Sequence, residues 1–150
     1  MKLIFLLAIS VFGLSSLNAQ LVAKVDVKEA IPGLCHAKDV YTLFSAFGGQ
    51  KEAVCPVSKE EIARRLDSAV SFLKDNPNHN DKGMVGIWIN CKGEVVKCDM
   101  DNKTKDTTLD AQIVAVFNSL GKWKPGLLKK KEVDTLQLFS FEIKNGKISL

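Results

Sequence analysis

The sequence predicts a two-layer α+β fold in which a small antiparallel sheet is covered by helices. Three observations predict it. Residues 84–91 and 94–100 are rich in β-forming side chains and flank Lys92-Gly93, a hairpin signal. Two stretches, one opening at Ser58 and one near Asp110, repeat apolar residues at helical spacing. A final β-rich run, Leu136 to Ile143, follows the second helix. A hairpin with one apolar face needs a helix to cover it, and the chain offers apolar helices on both sides of the hairpin.

The chain has 150 residues, one domain's worth, and its 46% hydrophobic and 25% charged residues exclude a disordered chain. Residues 1–19 read as a signal peptide: Lys2 gives a basic start, Leu3 to Leu14 is an unbroken run of apolar or small residues, and Ala19 is a small residue at the polar end. The apolar run is shorter than the roughly 20 residues a bilayer span needs. Cleavage after Ala19 leaves Gln20 first, with no cysteine there to carry a lipid. A formal net charge of +4 argues against a dedicated nucleic-acid binder. The expectation is a periplasmic or secreted protein with no integral membrane span after cleavage. Residues 20–57 form a cysteine-containing extension that makes one globular unit with 58–150.

Taken in order, Val40, Leu43, Phe44 and Phe47 predict a short amphipathic helix ended by Gly48-Gly49. Ser58 with Glu61 forms a capping box, and Ile62, Leu66, Val70 and Leu73 make one stripe that stops at Asn76-Pro77. With Lys92-Gly93 as a two-residue loop, Ile89 faces Val96, Ile87 faces Cys98 and Val85 faces Met100. These six make a core face, and Trp88 and Asn90 point the other way. Leu109, Ile113, Val116, Phe117 and Leu120 stripe a helix over 110–120, with Gly121 as its stop. Residues 121–132 are a basic loop, and Asn145-Gly146 marks a turn or a fraying tail.

Four cysteines in an exported chain suggest two disulfides among Cys35, Cys55, Cys91 and Cys98. No CxxC spacing marks a redox pair or a zinc ribbon. In the predicted register Cys91 and Cys98 lie roughly 13 Å apart at about 3.4 Å per residue, too far to bond. That leaves crosslinks from the N-terminal segment to the hairpin, or Cys35–Cys55 with two buried free thiols.

The run Gly83-Met84-Val85-Gly86-Ile87-Trp88-Ile89-Asn90, then Lys92-Gly93-Glu94-Val95-Val96, resembles the hairpin of the TonB C-terminal domain family. Leu109-Asp110-Ala111 opening a helix, then Lys122-Trp123-Lys124-Pro125-Gly126, then a strand with Phe139 and Phe141, extend the resemblance over about 65 residues. The resemblance implies a two-layer α+β fold and β-strand addition of an extended partner segment, as on an outer-membrane receptor. The chain would be a standalone exported member without the family's membrane anchor and Pro-rich spacer.

The candidate partner-binding residues are the last strand (Thr135, Leu136, Gln137, Leu138 and Phe139), taken as an exposed edge, and Trp88 on the outer sheet face. Lys122, Trp123, Lys124 and Pro125 are the family's loop motif, with a packing role expected for Trp123. Lys122, Lys124 and Lys129 to Lys131 make a basic loop, the commoner sense of which is a solvated surface. His36 and His79 stand in unrelated segments, and Asp99, Asp101 and Asp106 are a weak cation candidate. No catalytic constellation, metal site or cofactor is expected. The partner is a protein or peptide segment; a self-associating structural protein, dimeric through the same edge, is the alternative.

Overall fold

A computed structural model describes residues 22–150, so the signal peptide and the Gln20 start lie outside the described residues. In chain order the elements begin with β1 (Ala23–Val25), β2 (Val40–Thr42), β3 (Gln50–Lys51), α1 (Lys59–Ala69) and α2 (Ser71–Asp75). The hairpin β4 (Asp81–Ile89) and β5 (Val95–Asn102) follows, then α3 (Thr107–Asn118). The chain closes with β6 (Gly126–Leu128), β7 (Lys131–Lys144) and β8 (Lys147–Ser149).

The fold is mixed α and β, and β7 organises it. The main path of the sheet runs β1-β2-β7-β4-β5, with β6 and β8 also joined to β7 and β3 joined to β6. β4 pairs antiparallel with β7 from Asp81↔Ile143 to Ile89↔Thr135. The sheet is larger than the expected hairpin plus one strand, and it is not wholly antiparallel: β2 runs parallel to the start of β7, Val40 beside Asp134 and Tyr41 beside Thr135.

That parallel strand replaces the helix expected over residues 40–47. Val40-Tyr41-Thr42 are β-formers, and β7 offers them unpaired backbone at its first residues. Val40 and Leu43 are buried as expected, but Phe44 and Phe47 stay on the surface. No helical period could anticipate a pairing partner more than 90 residues away.

The other two predicted helices form. Ser58 accepts from the Glu61 N–H at 3.3 Å and opens α1. Ile62, Leu66, Val70 and Leu73 are all buried, but the helix breaks at Val70, whose ψ is 86°. Gln112 on α3 stitches the break, its carboxamide oxygen accepting from the Phe72 N–H at 3.0 Å and its nitrogen donating to the Ser71 hydroxyl at 2.9 Å. α3 starts three residues earlier than expected because Asp106 caps it, accepting from the N–H groups of Thr108 and Leu109.

The hairpin loop has three residues, not two. Asn90 pairs with Glu94, and Gly93 takes the left-handed φ of 79° that such a loop needs. The Asn90 carboxamide oxygen accepts from the N–H groups of Lys92 and Glu94 at 3.0 and 2.9 Å and holds the turn. A bulge between Trp88 and Ile89 absorbs the extra residue, so Ile87↔Cys98 and Val85↔Met100 stand while Ile89 faces Val95. Val95 therefore packs on the core in place of the expected Val96, which lies on the outer face against Gly33.

The core lies between this sheet and the helices: Val85, Ile87 and Ile89 from β4, Ile62 and Leu66 from α1, Ile113 and Phe117 from α3, all without solvent exposure. Each such side chain contributes about 1.5–3 kcal/mol on burial. Among the described residues no helix is long and apolar enough to cross a membrane.

Candidate functional site: the open edge of β7

The last strand is not the sheet's outer edge. β4 lines one side of it over residues 135–143. β6 takes residues 131–133, and on the side away from β4, β2 takes 134–135 and β8 takes 142–144. Residues 136–141 have no strand on that second side among the described residues. Between β2 and β8 the central strand thus presents a short open edge.

Thr135 is outside this window, fully buried and paired with both Ile89 and Tyr41. Leu136, Gln137, Leu138 and Phe139 are inside it. Leu138 is 43% exposed. Phe139 is half-buried on the opposite face, its ring 5.4 Å from Phe117 and 6.0 Å from Trp123. Alternation along β7 sends Phe139, Phe141 and Ile143 to the core face and Leu136 and Leu138 to the other.

Beside the open edge runs a groove of about 900 Å³ between β7 and the 45–59 segment, with Val54, Cys55, Lys59, Trp123, Gln137 and Phe139 among its lining residues. A second hollow of about 430 Å³ continues past Leu138 and Ser140 to Leu150, with Glu52 and Lys59 as its charged groups. Glu52 is held by the Ser45 N–H at 3.0 Å. Glu52, Lys59 and Leu150 were invisible as site residues in the sequence, since only the folded path of 43–58 brings them to β7.

Trp88 is half-buried on the outer face, with the Lys97 ammonium 5.8 Å from its ring centroid. Residues 26–32 partly cover it, leaving a hollow of about 500 Å³ lined by Ile31, Pro32, Trp88 and Val96. Trp88 pairs with Leu136 of the window across the β4–β7 register, so the two adjoin on the outer face, although the two hollows share no lining residue.

The loop motif is built into the scaffold. The Trp123 side chain is buried in the core, and its backbone N–H donates to the Gly93 carbonyl at 2.9 Å. Lys124 exchanges two backbone hydrogen bonds of 3.0 Å with Val54. Pro125 is half-buried, and Gly126 packs so tightly that a β-carbon would lie 2.6 Å from Thr135. The ammonium groups of Lys122 and Lys124 remain on the surface.

One disulfide is present where two were expected: Cys35–Cys91, Cα atoms 6.0 Å apart. It ties the N-terminal segment to the hairpin, one of the arrangements left open. Asp134, fully buried at the start of β7, braces the join, its carboxylate accepting from the N–H groups of His36 at 2.6 Å and Cys91 at 2.7 Å. Cys55 and Cys98 are free thiols packed against the core. Burial, with Asp99 adding to it, pushes the Cys98 thiol up to about 12, and burial also raises that of Cys55. Neither has the lowered pKa of a reactive thiol.

Most of the remaining polar candidates have structural partners. Asp106 is the α3 cap, Asp99 pairs with Lys97 at 2.8 Å, Asp101 is exposed, and His79 lies 3.5 Å from Asp81. Among the described residues, the one close group of three metal-capable side chains is Cys35, Cys91 and Asp134, whose two sulfurs are bonded to each other. No family model, curated protein or solved structure matches this chain.

Proposed function

We propose that the protein is an exported binding module that takes an extended segment of a partner protein by strand addition onto β7 at residues 136–141. This is the mode the resemblance to the TonB C-terminal domain family implies, with a segment of an outer-membrane receptor as the partner to try first. The observation that carries it is the interruption in pairing along β7 between β2 and β8, bordered by a groove. An open window of backbone donors and acceptors is a template for one more strand. At about 3.3 Å per residue the window is some 20 Å long, enough for a five- or six-residue segment. Leu138 supplies an exposed apolar contact, and Glu52 and Lys59 would select for charge at the rim.

The test is titration with a panel of extended receptor segments, followed by amide hydrogen exchange of the complex. Sequence-dependent micromolar binding that slows exchange at 136–141 is expected. Binding that leaves those amides unprotected, or no binding by a monomeric protein, overturns the reading. Proline replacement of Gln137 and Phe139 is a poor probe, since β7 also pairs with β4 throughout this stretch.

A further inference from the structure

We propose that the end of the molecule formed by residues 44–49 and the β6–β7 turn docks on an anionic lipid surface. This surface is distinct from the residues of the 136–141 window. Phe44 and Phe47 are 41% and 39% exposed and stack edge to face with centroids 6.1 Å apart. They sit on a knuckle held by consecutive turns, the Phe47 N–H donating to the Phe44 carbonyl at 3.0 Å and the Gln50 N–H to the Phe47 carbonyl at 3.3 Å. The knuckle is fastened to the β6–β7 turn, where the Lys129 N–H donates to the Gly49 carbonyl at 2.7 Å.

That turn carries Lys129-Lys130-Lys131. Lys129 and Lys130 both take the left-handed backbone, with φ of 51° and 67°, a conformation that glycine or asparagine would adopt more cheaply. Keeping lysine at both positions preserves charge against the turn's own preference. β3 adds Lys51, opposite Leu127. No carboxylate forms an ion pair with any of these four lysines among the described residues, although Glu52 and Glu132 are nearby in sequence.

A soluble polyanion would need only the lysines. The exposed phenylalanine pair at the tip of a braced loop favours the boundary between lipid head groups and acyl chains, where aromatic rings bury and lysines meet phosphate. Charge and apolar surface on one knuckle therefore commit the occupant to a bilayer.

The chain from Gln20 onward, so that the apolar leader cannot itself bind lipid, is sedimented with phosphatidylglycerol-containing vesicles and with phosphatidylcholine vesicles. It is expected to pellet with the first and not the second, and to be released by high salt. F44S/F47S, at exposed positions outside the core, is expected to weaken partitioning about tenfold or more. K129G/K130G suits the turn's backbone and removes two charges, so it is expected to weaken partitioning about tenfold with no loss of thermal stability. Equal pelleting with both vesicle types, or none with either, overturns the proposal. Phosphatidylglycerol binding that F44S/F47S leaves unchanged also overturns it, in favour of a surface for soluble polyanions.

Discussion

Removing the Cys35–Cys91 crosslink, as C35S/C91S, is expected to cost about 4 kcal/mol. The bond joins positions 56 residues apart, and the loop-closure entropy withheld from the unfolded chain at that length is worth about 4 kcal/mol at 25 °C. Urea unfolding of the oxidised protein and of the variant measures the difference directly. The slope of the transition should also steepen in the variant, because the freed unfolded chain exposes more surface. Asp134 gives a second handle on the same junction. In D134A the N–H groups of His36 and Cys91 lose a buried carboxylate, and at about 1.5–3 kcal/mol for each such bond the cost should exceed 2 kcal/mol. The two changes loosen one junction, so their effects should not add. A loss below about 1 kcal/mol for C35S/C91S with an unchanged slope would refute the reasoning, since the 56-residue loop would then not be closed.

Counting thiols in the denatured, unreduced protein should give two per chain, and in the native protein at neutral pH Cys98 should resist alkylation, its thiol being pushed up to about 12. In G93A a β-carbon would run into the Trp123 carbonyl in a left-handed backbone, so thermal melting should fall by several degrees or more. I113A empties a fully buried site between α3 and the sheet and should cost about 2–5 kcal/mol by chemical denaturation. Burial works against the charge of Asp81, but donation by the N–H groups of Lys105 and Lys82 outweighs it and holds the carboxyl below its ordinary 3.8. Its contribution is therefore present above about pH 4 and lost as pH falls through the depressed value. D81N should show a shallower acid loss than the parent in melts across that range.

What was legible in the sequence was what adjacent residues decide. Ser58 with Glu61 announced α1, the stripe ending at Leu120 announced α3, and the β-rich flanks of Lys92-Gly93 announced the hairpin. The misjudgements came where distant residues decide. Val40-Tyr41-Thr42 became a strand because β7 was there to receive it, and Val95 displaced Val96 because a bulge at Trp88 reset the register. The Lys129-Lys130 turn went unseen because lysine carries no turn signal. For the candidate site, the sequence reads the last strand as the border of the sheet, whereas β7 is central and its open part is a window left between β2 and β8. Thr135 accordingly drops out of it.

The position of β7 also governs the order in which this molecule becomes itself. The strand on which every other part of the sheet depends is nearly the last to be synthesised, so β2 and β4 must wait for it, with their pairing edges bare, over some 40 residues of growing chain or more. Local pieces can form early; the sheet can only close late, through contacts of high sequence separation, which slow folding and lengthen the time in which wrong pairings compete. A chain halted before residue 131 would own its helices and hairpin and yet lack the strand that pairs them with the first strands. Its Cys35–Cys91 bond would then be a tether between two halves still looking for their middle.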